Sequence, residues 1–193
     1  MVCRIAPGLL LAMPRRPDPA FANTVVLVIE HDERGAFGLI INKPTEMRLS
    51  DALREAGLVW PEPTPHVIWD GGPVSAGPDE PDGFILHHPD GIEHDRSKDS
   101  DEWGDDFLLY PFPPEIDMID ALASEAPNRL RFFMGYVEWE AGQLEDELRH
   151  DAWILAPADP VLVFDTPAEH IWEAAFHSLG VDPSAIVQSR GLH

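Results

Sequence analysis

The sequence predicts an α+β protein, folded as a single domain across residues 1–193, with a strand-rich first half and helices placed late in the chain. Three observations carry this. TVVLVIE (24–30) is an unbroken apolar, β-branched run that turns through HDERG and returns as AFGLIIN, which is the pattern of a hairpin. TPAEHIWEAAFHSLG (166–180) carries helix start and stop signals around an apolar stripe. A chain of 193 residues that is 44% hydrophobic is long enough for one core and short for two.

Each element follows from local chemistry. GLLLAM (8–13) is a short strand candidate ahead of the hairpin. The 24–30 run lacks polar alternation, so it is expected to be buried on both faces, and Gly35 frees the turn after it. LSDALREAG reads as a helix with Ser50 as N-cap, Leu49, Leu53 and Ala56 on one side, and Gly57 as its stop. HVIWD, GFILHH and FLLY are further strands. A helix over 113–127 starts at Pro114, lines up Ile116, Ile119, Leu122 and Ala123, and ends before Pro127. LRFFMGY is a strand, and Gly142 opens a helix whose first turns hold Gln143, Glu145, Asp146 and Glu147. Carboxylates there suit the helix N-terminal dipole; Leu144 and Leu148 face the core, and Glu145 and Arg149 form a surface pair. In the last helix, Thr166 and Glu169 have capping-box spacing, Pro167 takes the first helical position, and Gly180 closes it. Its stripe of Ile171, Trp172, Ala175, Phe176 and Leu179 is core-forming. The acidic stretch 88–106 is expected to be a mobile surface loop, and the termini 1–6 and 188–193 to fray.

The formal charge is −22, from 13 Lys plus Arg against 35 Asp plus Glu. Such a field repels phosphate backbones and anionic lipid, so direct nucleic-acid or membrane binding is disfavoured. Arg15–Arg16 and Arg129/Arg131 are too few for a DNA footprint. A cation, a cationic ligand or a basic protein surface suits the charge better. Cys3 is the sole cysteine, which rules out an internal disulfide and is weak evidence for a nucleophile. Pro7 and Pro14 confine the first apolar run to GLLLAM, shorter than a secretory h-region, so a cytoplasmic location is expected.

The reactive-site patterns fail one by one. From Asp99, DSDEWGDDFLLY matches a calcium loop at positions one, three and six, then places Trp103 at five and Tyr110 at twelve, where ligands are required. His87, His88 and His94 lie near Asp90 and Asp95, yet adjacent histidines on a strand point to opposite faces, and no paired zinc spacing occurs. There is no Gly-x-Ser-x-Gly elbow, and the glycines of DGGPVSAG lack the Lys-Ser/Thr of a phosphate loop. Neither a catalytic residue, a metal ligand nor a cofactor is assigned. The polar residues that core formation leaves over are His31, Asn42, Lys43, the turn Gly71–Gly72–Pro73, and Tyr136, Trp139, Gln143 and Glu145 around the YVEW junction. They form the candidate binding surface.

Several blocks in order span nearly the whole chain: GLLLAMP, DPAFANTVVLVIEHDERGAFGLIINKPT, DGGPV, GFILH, GYVEWEAGQLEDEL, AWILAPADPVLVFD and IWEAAFHSLGVDP. Together they resemble the YqgE/AlgH family of bacterial proteins. The match is thinnest over 91–128, and the tail SRGLH departs from the family's usual ending. The resemblance implies a largely antiparallel, bifurcated sheet curled into a pseudo-barrel with helices packed outside. It also carries a family label of transcriptional regulator, and no catalytic residues. With acidic helices and no basic recognition helix, the label points to indirect regulation through a protein partner or small ligand rather than DNA contact. The expectation is a non-enzymatic cytoplasmic regulatory or binding protein. The alternative is a small hydrolase-type or metal-assisted enzyme using His31 or His87 with a nearby carboxylate.

Overall fold

The computed structural model describes residues 5–14, 19–55, 66–75, 83–89, 106–112 and 129–189. The elements in chain order are β1 (Gly8–Ala12), a 3-10 turn (Pro19–Phe21), β2 (Val25–Asp32), β3 (Gly35–Ile40), β4 (Pro44–Arg48), α1 (Leu49–Glu55), β5 (Val67–Asp70), β6 (Gly83–His87), β7 (Leu108–Phe112), β8 (Leu130–Met134), β9 (Val137–Glu140), α2 (Gln143–Arg149), β10 (Trp153–Pro157), a π-helical turn (Val161–Asp165), α3 (Ala168–Ser178) and α4 (Pro183–Ser189). The fold is α+β, with two five-stranded, largely antiparallel sheets ordered β10-β1-β2-β3-β9 and β4-β5-β8-β6-β7. Among the described strands the one parallel pair is β5 with β8. Two compact units result: residues 1–43 with 137–193, and residues 44–136.

In the first unit, β1 and the first five residues of β2 are buried throughout, because both faces of the sheet are covered. One face supplies Leu10, Ala12, Val26, Val28, Ile40, Val137, Trp139 and Trp153, joined by Leu144 from α2. Ile171, Ala175 and Phe176 of α3 are fully buried as well. The Trp172 indole N–H donates to the Ala12 carbonyl at 2.9 Å, fixing α3 against β1. Burying one such large side chain contributes about 2–3 kcal/mol. The second unit has its own core of Leu49, Leu53, Ile68, Ile85, Tyr110, Leu130 and Phe132. There the Arg131 guanidinium lies 3.9 Å over the Trp69 ring.

A β-bulge decides which way the hairpin's polar residues face. Val28 pairs with Gly38 but Glu30 pairs with Phe37, so Ile29 is the extra residue. The shift turns His31 toward the buried side, opposite Ala36, and turns Glu30 and Asp32 outward.

Several local expectations need correcting. The helix at 49–55 begins at Leu49, so Ser50 is a buried first-turn residue and not the cap. Pro167 is the N-cap of α3, one residue before the predicted helical position, and makes no side-chain cap. Thr166 instead donates its hydroxyl to the Val161 carbonyl at 3.0 Å, closing the π-helical turn. Gly180 does close α3, with its N–H on His177 O and the Val181 N–H on Phe176 O, a Schellman arrangement. Arg149 pairs with Asp146 at 2.8 Å rather than with Glu145, because Glu145 faces the sheet. The predicted helix over 113–127, residues 90–105 of the acidic stretch and termini 1–4 and 190–193 lie outside the described residues. Ile5 and Ala6, expected to fray, are partly buried and buried respectively.

Candidate functional site

The candidate residues fall into three groups, and most have structural work. Asn42 accepts the Val25 N–H at 2.9 Å and donates to the Asn23 carbonyl at 2.8 Å. The Lys43 ammonium donates to the Ala20 carbonyl. Thr24, buried, donates its hydroxyl to Phe21 O at 2.9 Å. The block NKPT therefore pins the loop that feeds β2.

Gly71, Gly72, Pro73 and Tyr136 belong to the second unit. The Gly71 N–H donates to Met134 O at 2.8 Å, and Val74 and Tyr136 exchange N–H···O bonds at 3.0 Å each. Gly135 sits between them at φ +73, and a Cβ there would collide with the Gly72 carbonyl oxygen. The Tyr136 ring packs edge-on to Phe84, with centroids 5.9 Å apart. Gly135 of MGY thus serves a close backbone approach to the DGGPV turn, where only a residue without a side chain fits.

Trp139, Gln143, Glu145 and His31 come together in the first unit. Trp139 is 3% exposed and packs against Trp153, which in turn meets Phe21 edge-on. It is a core residue, not a surface contact. Gln143 accepts the Glu140 N–H at 3.0 Å and donates to Glu147 at 3.2 Å. The other Glu147 oxygen accepts the Trp153 indole N–H at 2.7 Å. Glu145 accepts from His31 Nε2 at 3.0 Å, and the Ile5 N–H donates to His31 Nδ1 at 3.4 Å. The His31 side chain is 1% exposed. With both ring nitrogens engaged, His31 cross-links β2 to α2 and to the residues just ahead of β1. His87 is fully buried; its Nδ1–H donates to the His88 carbonyl at 3.0 Å and its ring stacks on Tyr110. No cluster of three potential metal-ligating side chains occurs among the described residues.

The outward face of the same strands is different. Across β2, β3 and β9 the register places Glu30, Phe37 and Glu138 in one row and Asp32, Gly35 and Glu140 in the next. Side chains at these alternate positions share a face. Glu30, Asp32, Glu138 and Glu140 are exposed, and Phe37 is half-buried between Glu30 and Glu138. A cleft of about 290 Å³ opens here, lined by Glu30, Asp32, Arg34, Gly35, Phe37 and Glu138, with Ala36 and Trp139 contributing. At its rim the Arg34 backbone N–H and Nε–H donate to the two Asp32 oxygens at 2.7 and 2.8 Å. These bonds hold the Asp32 carboxyl below its usual 3.8. Three carboxylates, Glu30, Asp32 and Glu138, around an aromatic floor, with the Arg34 guanidinium already engaged by Asp32, favour a cationic or basic group. The sequence pointed to this hairpin through His31. The residues that line the cleft are its neighbours, which the bulge turns outward.

The fold and the site together define an α+β chain in which several distinctive polar residues of the first unit act as internal ties and an acidic sheet face points outward. The chain belongs to the AlgH-like family, whose model matches residues 9–184. It is 38% identical over 178 residues to UPF0301 protein IL2218 of Idiomarina loihiensis, covering 90% of each chain. It is 39% identical over 186 residues to UPF0301 protein Bcep1808_0798 of Burkholderia vietnamiensis, covering 94% of this chain and 92% of that one. The solution structure of the AlgH protein from Pseudomonas aeruginosa matches with a TM-score of 0.72 at 36% identity, covering 100% of this chain and 98% of that one. The crystal structure of protein DIP2367 from Corynebacterium diphtheriae matches with a TM-score of 0.68 at 22% identity, over 90% and 86% of the two chains, and shares the fold. No helix among the described residues is long and apolar enough to cross a membrane.

Proposed function

We propose that this protein is a non-enzymatic, cytoplasmic regulatory protein that acts by receiving a positively charged segment of a protein partner in the acidic cleft of β2, β3 and β9. The observation that supports this reading is the outward row of Glu30, Phe37 and Glu138, continued by Asp32, on a face that core formation does not require. A lysine or arginine side chain can lay its stem on Phe37 and reach carboxylates on either side. The formal charge of −22 steers such a partner in and turns nucleic acid away, so any effect on transcription is indirect.

The test is binding of a fluorescein-labelled oligo-arginine peptide, followed by anisotropy. Glu30→Gln with Glu138→Gln removes two cleft charges, each contributing about 0.5–1 kcal/mol, so affinity falls about tenfold. Asp151→Asn with Asp159→Asn makes the same change in net charge at exposed positions outside the cleft lining and weakens binding about twofold by the long-range field. Equal losses for the two pairs would refute the cleft.

A further inference from the structure

His31 ties three parts of the first unit through one ring, and the two ties respond oppositely to a proton. The Ile5 N–H, just ahead of β1, donates to Nδ1 at 3.4 Å, so Nδ1 must carry a lone pair. Nε2 faces the Glu145 carboxylate of α2 at 3.0 Å, so it must carry the hydrogen. Both bonds are satisfied together only by the neutral Nε2–H tautomer. A second proton enters at Nδ1. There it meets the Ile5 N–H head-on and removes the acceptor, while the Nε2–H···Glu145 bond becomes an ion pair.

The surroundings leave this response to Glu145 among the described residues. On β2 itself, Glu30 and Asp32 point to the opposite face, and Arg34 at the hairpin tip is bound to Asp32. From β3 the residue opposite His31 is Ala36, and β9 places Trp139 beyond it. On α2, Asp146 is paired with Arg149 and His150, and Glu147 with Gln143 and Trp153.

We propose that His31 is a proton-operated latch: neutral, it holds the entry to β1 against β2; protonated, it lets go of Ile5 while keeping its grip on α2. The device is independent of the cleft, which lies on the other face of the same strands.

The experiment is a pH titration of the ¹⁵N-labelled protein by NMR between about pH 8 and 5, the range in which histidine switches. Long-range ¹H–¹⁵N spectra report the His31 tautomer, and hydrogen exchange, corrected for its intrinsic pH dependence, reports amide protection. The expected result is an Nε2–H tautomer at the high end. As the ring titrates, Ile5 amide protection falls about tenfold while α2 amides change less than about twofold, the scale of one lost hydrogen bond. His31→Gln offers an oxygen acceptor and a nitrogen donor that do not titrate, and it flattens the Ile5 response. An Nδ1–H tautomer, a ring that does not titrate in this range, or an Ile5 amide indifferent to the titration overturns the proposal. The wild-type titration decides alone if the variant does not fold.

Discussion

Replacing Gly135 with alanine isolates one physical term, because Gly142 supplies its control. Both glycines lie in the left-handed region, at φ +73 and +78. A Cβ on Gly142 meets nothing within 4 Å, whereas one on Gly135 collides with the Gly72 carbonyl and approaches that of Val74 to 3.1 Å. Left-handed strain costs a non-glycine residue about 1–2 kcal/mol at either site, offset by about 0.4–1 kcal/mol from a stiffer unfolded chain. Only at Gly135 must the Gly71–Pro73 turn also move. That movement disturbs the Gly71 N–H to Met134 O bond and the reciprocal Val74–Tyr136 pair. With each bond contributing about 1 kcal/mol, Gly135→Ala is expected to destabilise by about 2–4 kcal/mol and Gly142→Ala by about 1 kcal/mol. Urea unfolding gives the difference, and hydrogen exchange at the Val74 and Tyr136 amides shows whether the loss is local to the turn. Equal costs, or unchanged protection at Val74 and Tyr136 in Gly135→Ala, would refute the reasoning.

Other outcomes follow from the same contacts. Glu147→Ala leaves the part-buried Trp153 indole N–H without that acceptor and costs about 1–3 kcal/mol in urea unfolding, while Glu147→Gln costs less than about 1 kcal/mol. Asn42→Asp keeps the acceptor for Val25 but loses the donor to Asn23, so it is expected to destabilise about as much as Asn42→Ala, roughly 1–2 kcal/mol. Arg34→Gln returns the Asp32 carboxyl toward 3.8, read by NMR titration; in the wild type that pairing favours the folded state above 3.8 and is lost as pH falls through the lower folded value. Burial holds His66 below 6.5, so the unfolded chain takes up its proton first and stability falls as pH drops below 6.5; His66→Gln flattens that slope.

The strands with continuous apolar runs were legible because their cores demand them: β1, β2, β3, β5, β6 and β8 all lie where aliphatic patterning puts them. β4 escaped because PTEMR is mostly exposed and carries no apolar alternation. β9 is not distinguished in the sequence, where YVEW reads only as a junction between a strand and the helix opened by Gly142, although the alternate burial of Val137 and Trp139 is a strand pattern. Trp139 sits on the inward side of that strand and is 3% exposed, so its place on the candidate surface does not hold. The candidate site was half legible. The sequence singles out His31 in the hairpin and the YVEW junction, and the strands that carry them line one cleft. Facing could not be read, since it depends on the extra residue at Ile29, and a bulge leaves no composition signature. Polarity also misled: Asn42, Lys43, Gln143 and Glu145 are polar because backbone and side-chain donors and acceptors inside the unit require partners.

Chemical-shift mapping of the oligo-arginine peptide onto the ¹⁵N-labelled protein tests most directly whether the outward sheet face is where this protein meets its partners. The expected shifts centre on Glu30, Asp32, Phe37 and Glu138 and saturate together, with Asn42, Lys43 and the Gly71–Pro73 turn unmoved. Shifts spread evenly over the acidic surface, or centred on those ties and absent from the β2–β3–β9 face, would contradict it.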